Sequence, residues 1–162
     1  MDIGTQLGRV WLAAVAFLIV DPIPVFAEAV TSLQLWGEAP AQEQPLPPKK
    51  AWVIREREIA FDPQSLAIMK DATARPHPSV RIELFQHQGY ELDVTSTVSR
   101  MSNLSTVRGT LKSIDRSTWS LLINGNLVSG TIQIEGRQFR VEHVQNGRHR
   151  LLEIDPAKVP PD

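Results

Sequence analysis

Residues 119–154 read WSLLINGNLVSGTIQIEGRQFRVEHVQNGRHRLLEI, and three Xaa-Gly pairs punctuate them: Asn124-Gly125, Glu135-Gly136 and Asn146-Gly147. Such pairs suit two-residue type I′ hairpins, whose central residues both need positive φ. Taking each pair as the turn fixes a register. Asn146-Gly147 sets Gln145 opposite Arg148, His143 opposite Arg150, Val141 opposite Leu152 and Phe139 opposite Ile154. Asn124-Gly125 sets Leu121 opposite Val128 and Trp119 opposite Gly130, where a missing side chain would admit the indole. Glu135-Gly136 sets Ile132 opposite Phe139 and Gly130 opposite Val141. Chained together, these registers put Trp119, Leu121, Ile123, Val128, Ile132, Ile134, Phe139, Val141, Leu152 and Ile154 on one face. The other face then pairs Arg140 with Glu153 as an exposed cross-strand ion pair, and His143 and His149 fall on opposite faces.

Working outward, period-two alternation continues upstream. Val80, Ile82 and Leu84 form one strand, and Tyr90, Leu92 and Val94 a second after a turn over residues 86–89. Val107, Gly109 and Leu111 form a third before the Asp115-Arg116-Ser117 turn. Trp52 to Phe61 predicts another strand. Asp62-Pro63 then offers an N-cap and first helical residue for a short helix through Leu66 and Met69. Ala74 to Pro78 reads as a loop. Seven or eight strands and one short helix make the fold class mainly β: a single small antiparallel β-meander domain, as a rolled sheet, barrel or sandwich.

The N-terminus has a different character. Arg9 precedes an apolar run from Val10 to Val20, too short to span a bilayer comfortably. Asp21, Pro22 and Pro24 break it, and Val25-Phe26-Ala27 supplies small residues for a signal peptidase. Residues 1–27 therefore read as a secretory signal cut between Ala27 and Glu28, which implies a secreted or periplasmic protein. Residues 28–50 carry Pro40, Pro45, Pro47 and Pro48 among Ala, Gln and Glu, and read as a Pro-rich flexible arm. Residues 51–162 remain as the β domain. Loss of residues 1–27 leaves 16 basic and 16 acidic residues. A neutral chain is a poor ligand for nucleic acid and has no electrostatic pull toward an anionic membrane. The chain has no cysteine, so an exported fold must stand without disulfides and thiolate chemistry is excluded.

Neither a metal, a cofactor nor a catalytic residue is expected. The four histidines, His77, His87, His143 and His149, include no helical HExxH pair. His77 and His87 read as solvated loop residues. No serine lies in a G-x-S-x-G elbow or an S-x-x-K arrangement. Glu153 and Asp155 share a strand face, but Arg140 is the expected partner of Glu153. Gly125, Gly136 and Gly147 are used as turn residues, so a phosphate loop is not needed to explain them. Tyr90 and Trp52 could offer a stacking surface, and Arg137, Arg148 and Arg150 cluster at one end of the meander as a solvated face.

From Leu84-Phe85 onward the chain resembles the N-terminal prodomain of secreted bacterial zinc metallopeptidases of the reprolysin-like metzincin type. The matching phrases are Val107-Arg108-Gly109-Thr110-Leu111 and Trp119-Ser120-Leu121-Leu122-Ile123-Asn124-Gly125. Val128-Ser129-Gly130-Thr131-Ile132 and Arg137-Gln138-Phe139-Arg140-Val141 follow, then Gly147, His149, Leu152-Glu153-Ile154-Asp155 and Pro160-Pro161. The resemblance implies a β fold, export, and a domain that keeps a protease latent or assists its folding. It singles out Trp119, Gly125, Gly130, Gly147, His149, Glu153 and Asp155 as structural or partner-facing positions. The family's HExxHxxGxxH zinc site does not occur in these 162 residues, which end where the link to a catalytic domain would be expected. Peptidase activity does not carry over.

The expected function is thus a non-enzymatic exported module that binds, inhibits or helps fold a secreted zinc metallopeptidase. The alternatives are an envelope or extracellular module for a small ligand or polysaccharide, and a remnant of a metallopeptidase precursor.

Overall fold

The Glu135-Gly136 turn forms as the sequence predicts. Both residues have positive φ (49° and 88°), and Ile132 faces Phe139 while Gly130 faces Val141. A computed structural model describes residues 32–41, 45–85, 88–101, 103–145 and 147–161. In chain order the elements are β1 (Leu33–Gln34), β2 (Trp36–Glu38), β3 (Val53–Phe61), α1 (Pro63–Lys70), β4 (Val80–Glu83), β5 (Gly89–Met101), β6 (Leu104–Leu111), β7 (Ser117–Asn124), β8 (Leu127–Ile134), β9 (Arg137–His143) and β10 (His149–Ile154). A 3₁₀ turn, Pro156–Lys158, follows. The strands lie in one sheet in the order β1-β4-β5-β6-β7-β8-β9-β10-β3-β2, a mainly-β meander rolled into a nearly closed barrel.

Closure comes from a segment expected to be a flexible arm. β1 runs parallel to β4, with Leu33 opposite Val80 and Gln34 opposite Arg81. Two residues later β2 runs antiparallel to β3, with Trp36 opposite Phe61 and Glu38 opposite Ile59. Leu35 joins the two edges: its N–H donates to the Arg81 carbonyl (2.8 Å) and its carbonyl accepts from the Asp62 N–H (3.0 Å). Leu35 and Trp36 are fully buried. The Trp36 indole N–H donates to the Glu83 carbonyl (2.8 Å), and its ring meets Phe61 edge-on at 5.4 Å. The reading of residues 28–50 as an arm is therefore corrected over 33–38. The prolines that suggested it start at Pro40, beyond the strap, so none interrupts its ladder bonds.

The helix forms at its predicted place. Asp62 caps it by accepting from the Ser65 N–H at 2.7 Å, with Pro63 at its first position. Leu66 and Met69 enter the core, and the Ser65 hydroxyl reaches the Gln34 carbonyl at 3.0 Å, which ties helix to strap.

Two registers depart from expectation. In the β7–β8 hairpin Asn124 pairs with Leu127, so the turn is Gly125-Asn126, with Gly125 at φ 59°. Positive φ at the first central residue is the type II′ arrangement, and the Gly125 N–H is held by the Asn103 carbonyl at 3.0 Å. The shift is two residues, so every side chain keeps its face. Trp119 now faces Ile132 on β8 and Gly109 on β6. Gly109, rather than Gly130, makes room for the indole: a Cβ there would lie 2.7 Å from the ring and 1.8 Å from the Asp93 carbonyl oxygen.

The β9–β10 shift is one residue and has larger effects. His149 pairs with His143, Leu151 with Val141 and Glu153 with Phe139. The Val144 N–H donates to the Arg148 carbonyl (2.8 Å), leaving three residues in the loop, with Gly147 at φ 75°. His149, Leu151 and Glu153 consequently face the barrel interior. Leu152 and Ile154 turn outward and pack with Val53 and Trp52 in a small second cluster.

The strap is predicted to be structural. Trp36→Ala removes a buried indole and leaves a cavity, and should destabilise the fold by about 3–5 kcal/mol in urea unfolding. A loss below about 1 kcal/mol would indicate that the strap is not docked.

Candidate functional site

The slip in β10 assembles an ionic cluster at one end of the barrel. Glu153 accepts from Arg55 Nε at 2.5 Å and from Arg137 Nε at 2.9 Å. The Arg55 guanidinium lies over the Phe85 ring at 4.4 Å, and that of Arg137 over Phe139 at 4.9 Å. Burial pushes the Glu153 carboxyl up, but hydrogen bonds from Arg137 and Arg55 outweigh it and hold the group below the usual carboxylate range. Arg140, the partner expected for Glu153, instead sits opposite Leu152 and lies 3.8 Å from Glu142. The other arginines of this region are not a solvated face either. Arg150 is buried between Glu142 (3.0 Å) and Glu56 (3.4 Å), and buried Arg148 pairs with Glu58. Their charge is neutralised within the sheet formed by β3, β9 and β10.

At the opposite end the same slip brings His143 and His149 together, ring centres 5.3 Å apart, where the sequence reading separated them. His149 is buried; its Nε2 accepts from the Val128 N–H at 3.0 Å, so its proton sits on Nδ1. Phe61 covers its ring edge-on at 4.9 Å. Burial, helped by His143, lowers the His149 pKa to about 4 against a hydrogen bond with the Gly147 backbone that raises it. Two imidazoles do not make a metal site, and among the described residues no three His, Asp or Glu side chains group to hold an ion.

The remaining positions singled out by the resemblance do not converge. Trp119 is buried with its N–H on the Thr110 carbonyl (2.8 Å). Gly125 and Gly147 serve turns, and Gly130 lets Leu121 and the Ser120 carbonyl approach. Asp155 caps the 3₁₀ turn, accepting from the Ala157 N–H (3.1 Å) and pairing with Lys158 (2.9 Å). Their roles are structural. Ala27, Glu28 and His87 lie outside the described residues.

The barrel interior is filled. The space between Trp36, Ile82, Leu92, Trp119, Leu121 and Ile132 holds no water-sized void. Among the described residues the surface best suited to contact another molecule is the outer face of β5 to β8, which the sequence reading overlooked. Val98, Thr106, Leu122 and Ser129 form one cross-strand row, and Leu104, Asn124 and Leu127 form the next. Val98, Leu122 and Leu127 are 46%, 44% and 43% exposed, high for large apolar side chains in mid-sheet. The unbroken Leu121-Leu122-Ile123 run was the available signal, because alternation must put its middle residue outside. Ser96, Val98, Arg100, Thr106 and Arg108 line a shallow groove of about 130 Å³ on this face. Arg100 and Arg108 have no acidic partner among the described residues.

No family model matches the chain, and no curated protein does. Among solved structures, one described as a chaperone–substrate complex is similar, with a TM-score of 0.56 at 10% identity. The match covers 83% of this chain and 96% of the other. At that identity the likeness concerns the fold alone.

Two outcomes follow from the barrel ends. Glu153→Ala strands Arg55 and Arg137 and should cost roughly 2–3 kcal/mol, whereas Arg140→Ala should cost under about 1 kcal/mol. Equal losses in denaturant unfolding would contradict the observed pairing. His149 is neutral when folded and protonates near pH 6.5 when unfolded, so the unfolded chain takes up the proton first. Its contribution is complete above pH 6.5, and roughly 2–3 kcal/mol is lost by pH 4. His149→Gln, which keeps an acceptor for Val128, should flatten stability across that window.

Proposed function

We propose that this chain is an exported, non-catalytic β-barrel that binds a secreted zinc metallopeptidase, keeping it latent or assisting its folding. The observation that carries this reading is the outer face of β5 to β8. Val98, Leu122 and Leu127 are exposed there beside Arg100 and Arg108, and an apolar patch rimmed by polar groups is the usual composition of a protein-binding surface. The filled interior disfavours the small-ligand alternative, which needs an enclosed cavity.

Most charged side chains of β3, β9 and β10 are engaged in ion pairs that hold the sheet, and Arg57 donates to the Glu83 carbonyl, which supports a binding role over a catalytic one. The identity of the partner rests on the prodomain resemblance, and the secreted or periplasmic location on the signal at residues 1–27.

The test is to refold a denatured reprolysin-like catalytic domain from the same organism with and without the mature chain. The proposal expects a complex on gel filtration and either a higher yield of active protease or reversible loss of its activity. No complex together with unchanged yield and activity would sink it.

A further inference from the structure

One strand of the barrel lacks a neighbour over half its length. β4 pairs with β5 only from Gly89 to Leu92, and β6 then continues alone beside β5 as far as Met101. Across residues 93–101 no backbone hydrogen bond joins β5 to anything but β6 among the described residues. Such an edge presents a row of N–H and C=O groups that can template another strand. The free stretch reads Thr95-Ser96-Thr97-Val98-Ser99-Arg100, rich in β-formers and free of proline and acid. It borders the groove of Ser96, Val98, Arg100, Thr106 and Arg108. Lys70 lies at the same end, its carbonyl accepting from the Ser99 hydroxyl at 3.2 Å. Arg100 and Arg108 lie beside this edge, and among the described residues no carboxylate pairs with either.

We propose that the edge of β5 from Thr95 to Arg100 binds an extended acidic segment of the partner protein as an added β-strand. This rests on the protein-binding reading above and gives it a mode. Main-chain bonds along β5 supply affinity independent of sequence. Carboxylates on the incoming strand select through Arg100 and Arg108, and apolar side chains at alternate positions rest on Val98. The stretch also explains why the barrel stops short of full pairing on this side, where β4 is only four residues long against thirteen in β5.

The probes are two fluorescein-labelled peptides, one alternating valine with glutamate and one alternating valine with lysine. Anisotropy should detect binding of the glutamate peptide, and hydrogen exchange of the full mature chain should show new protection over residues 95–100. The doubly charge-reversed variant, Arg100→Glu with Arg108→Glu, should lose about tenfold or more in affinity for that peptide and gain affinity for the lysine peptide. Both arginines are exposed, so the variant should keep the wild-type circular dichroism; if it does not fold, the exchange experiment on the unmutated chain decides alone.

An arginine that merely guards the edge against pairing would leave both peptides unbound, and that result overturns the proposal. Protection elsewhere on the barrel overturns it as well. If the metallopeptidase domain binds while residues 95–100 gain no protection, the strand-addition mode fails and the protein-binding reading stands.

Discussion

The barrel depends on six residues that lie far in sequence from most of what they hold. Without Leu33 to Glu38, the sheet would be an open ribbon with β4 at one side and β3 at the other, and their ladder groups would face solvent. The strap satisfies both edges at once because Leu35 turns its N–H to one and its carbonyl to the other. It also places Trp36 in the interior, where the indole fills volume and finds the Glu83 carbonyl. Closure and core packing are one event, since an open sheet could not enclose Trp36 and a barrel without Trp36 would enclose a void.

Closure also decides where charge can go. A filled interior leaves no room for an unpaired ion, and two polar groups that reach inward are met by partners, Glu153 by two arginines and His149 by the Val128 N–H in its neutral form, whereas the buried Thr97 hydroxyl and His143 Nε2 have no hydrogen-bond partner among the described residues. These arrangements explain why positions with the look of a reactive site perform structural work. They also concentrate the uncommitted chemistry on the outer face of β5 to β8, where exposed apolar side chains sit beside Arg100 and Arg108, which no carboxylate among the described residues neutralises.

The limits of reading this fold from sequence trace to particular residues. Glu135-Gly136 could be read to the residue because its flanks alternate cleanly. The error at Asn124-Gly125 was harmless, because a shift of two preserves every face. The error at Asn146-Gly147 was not, and β10 shows why: all six of its residues are buried, so Leu151 and Leu152 give alternation nothing to choose between. The wrong choice moved Glu153 to the surface, gave it Arg140 as a partner and separated two histidines that face each other. The strap reads as a mobile arm for another reason, although Leu33, Leu35 and Trp36 can be seen as able to dock. A two-residue and a three-residue strand carry too little periodicity to register, and their stability comes from edges that exist only once the barrel has rolled. The candidate binding face was legible only indirectly, through an extra apolar residue at Leu122 that alternation could not bury.

The account therefore stands on the strap being part of the cooperative barrel. Amide hydrogen exchange on the full chain tests this most directly, residue by residue. The Leu35 and Asp62 amides should exchange as slowly as those in the middle of β7 to β9, through global unfolding only. Exchange of the Leu35 amide at the rate of an unstructured chain, while β7 to β9 stay protected, would contradict it.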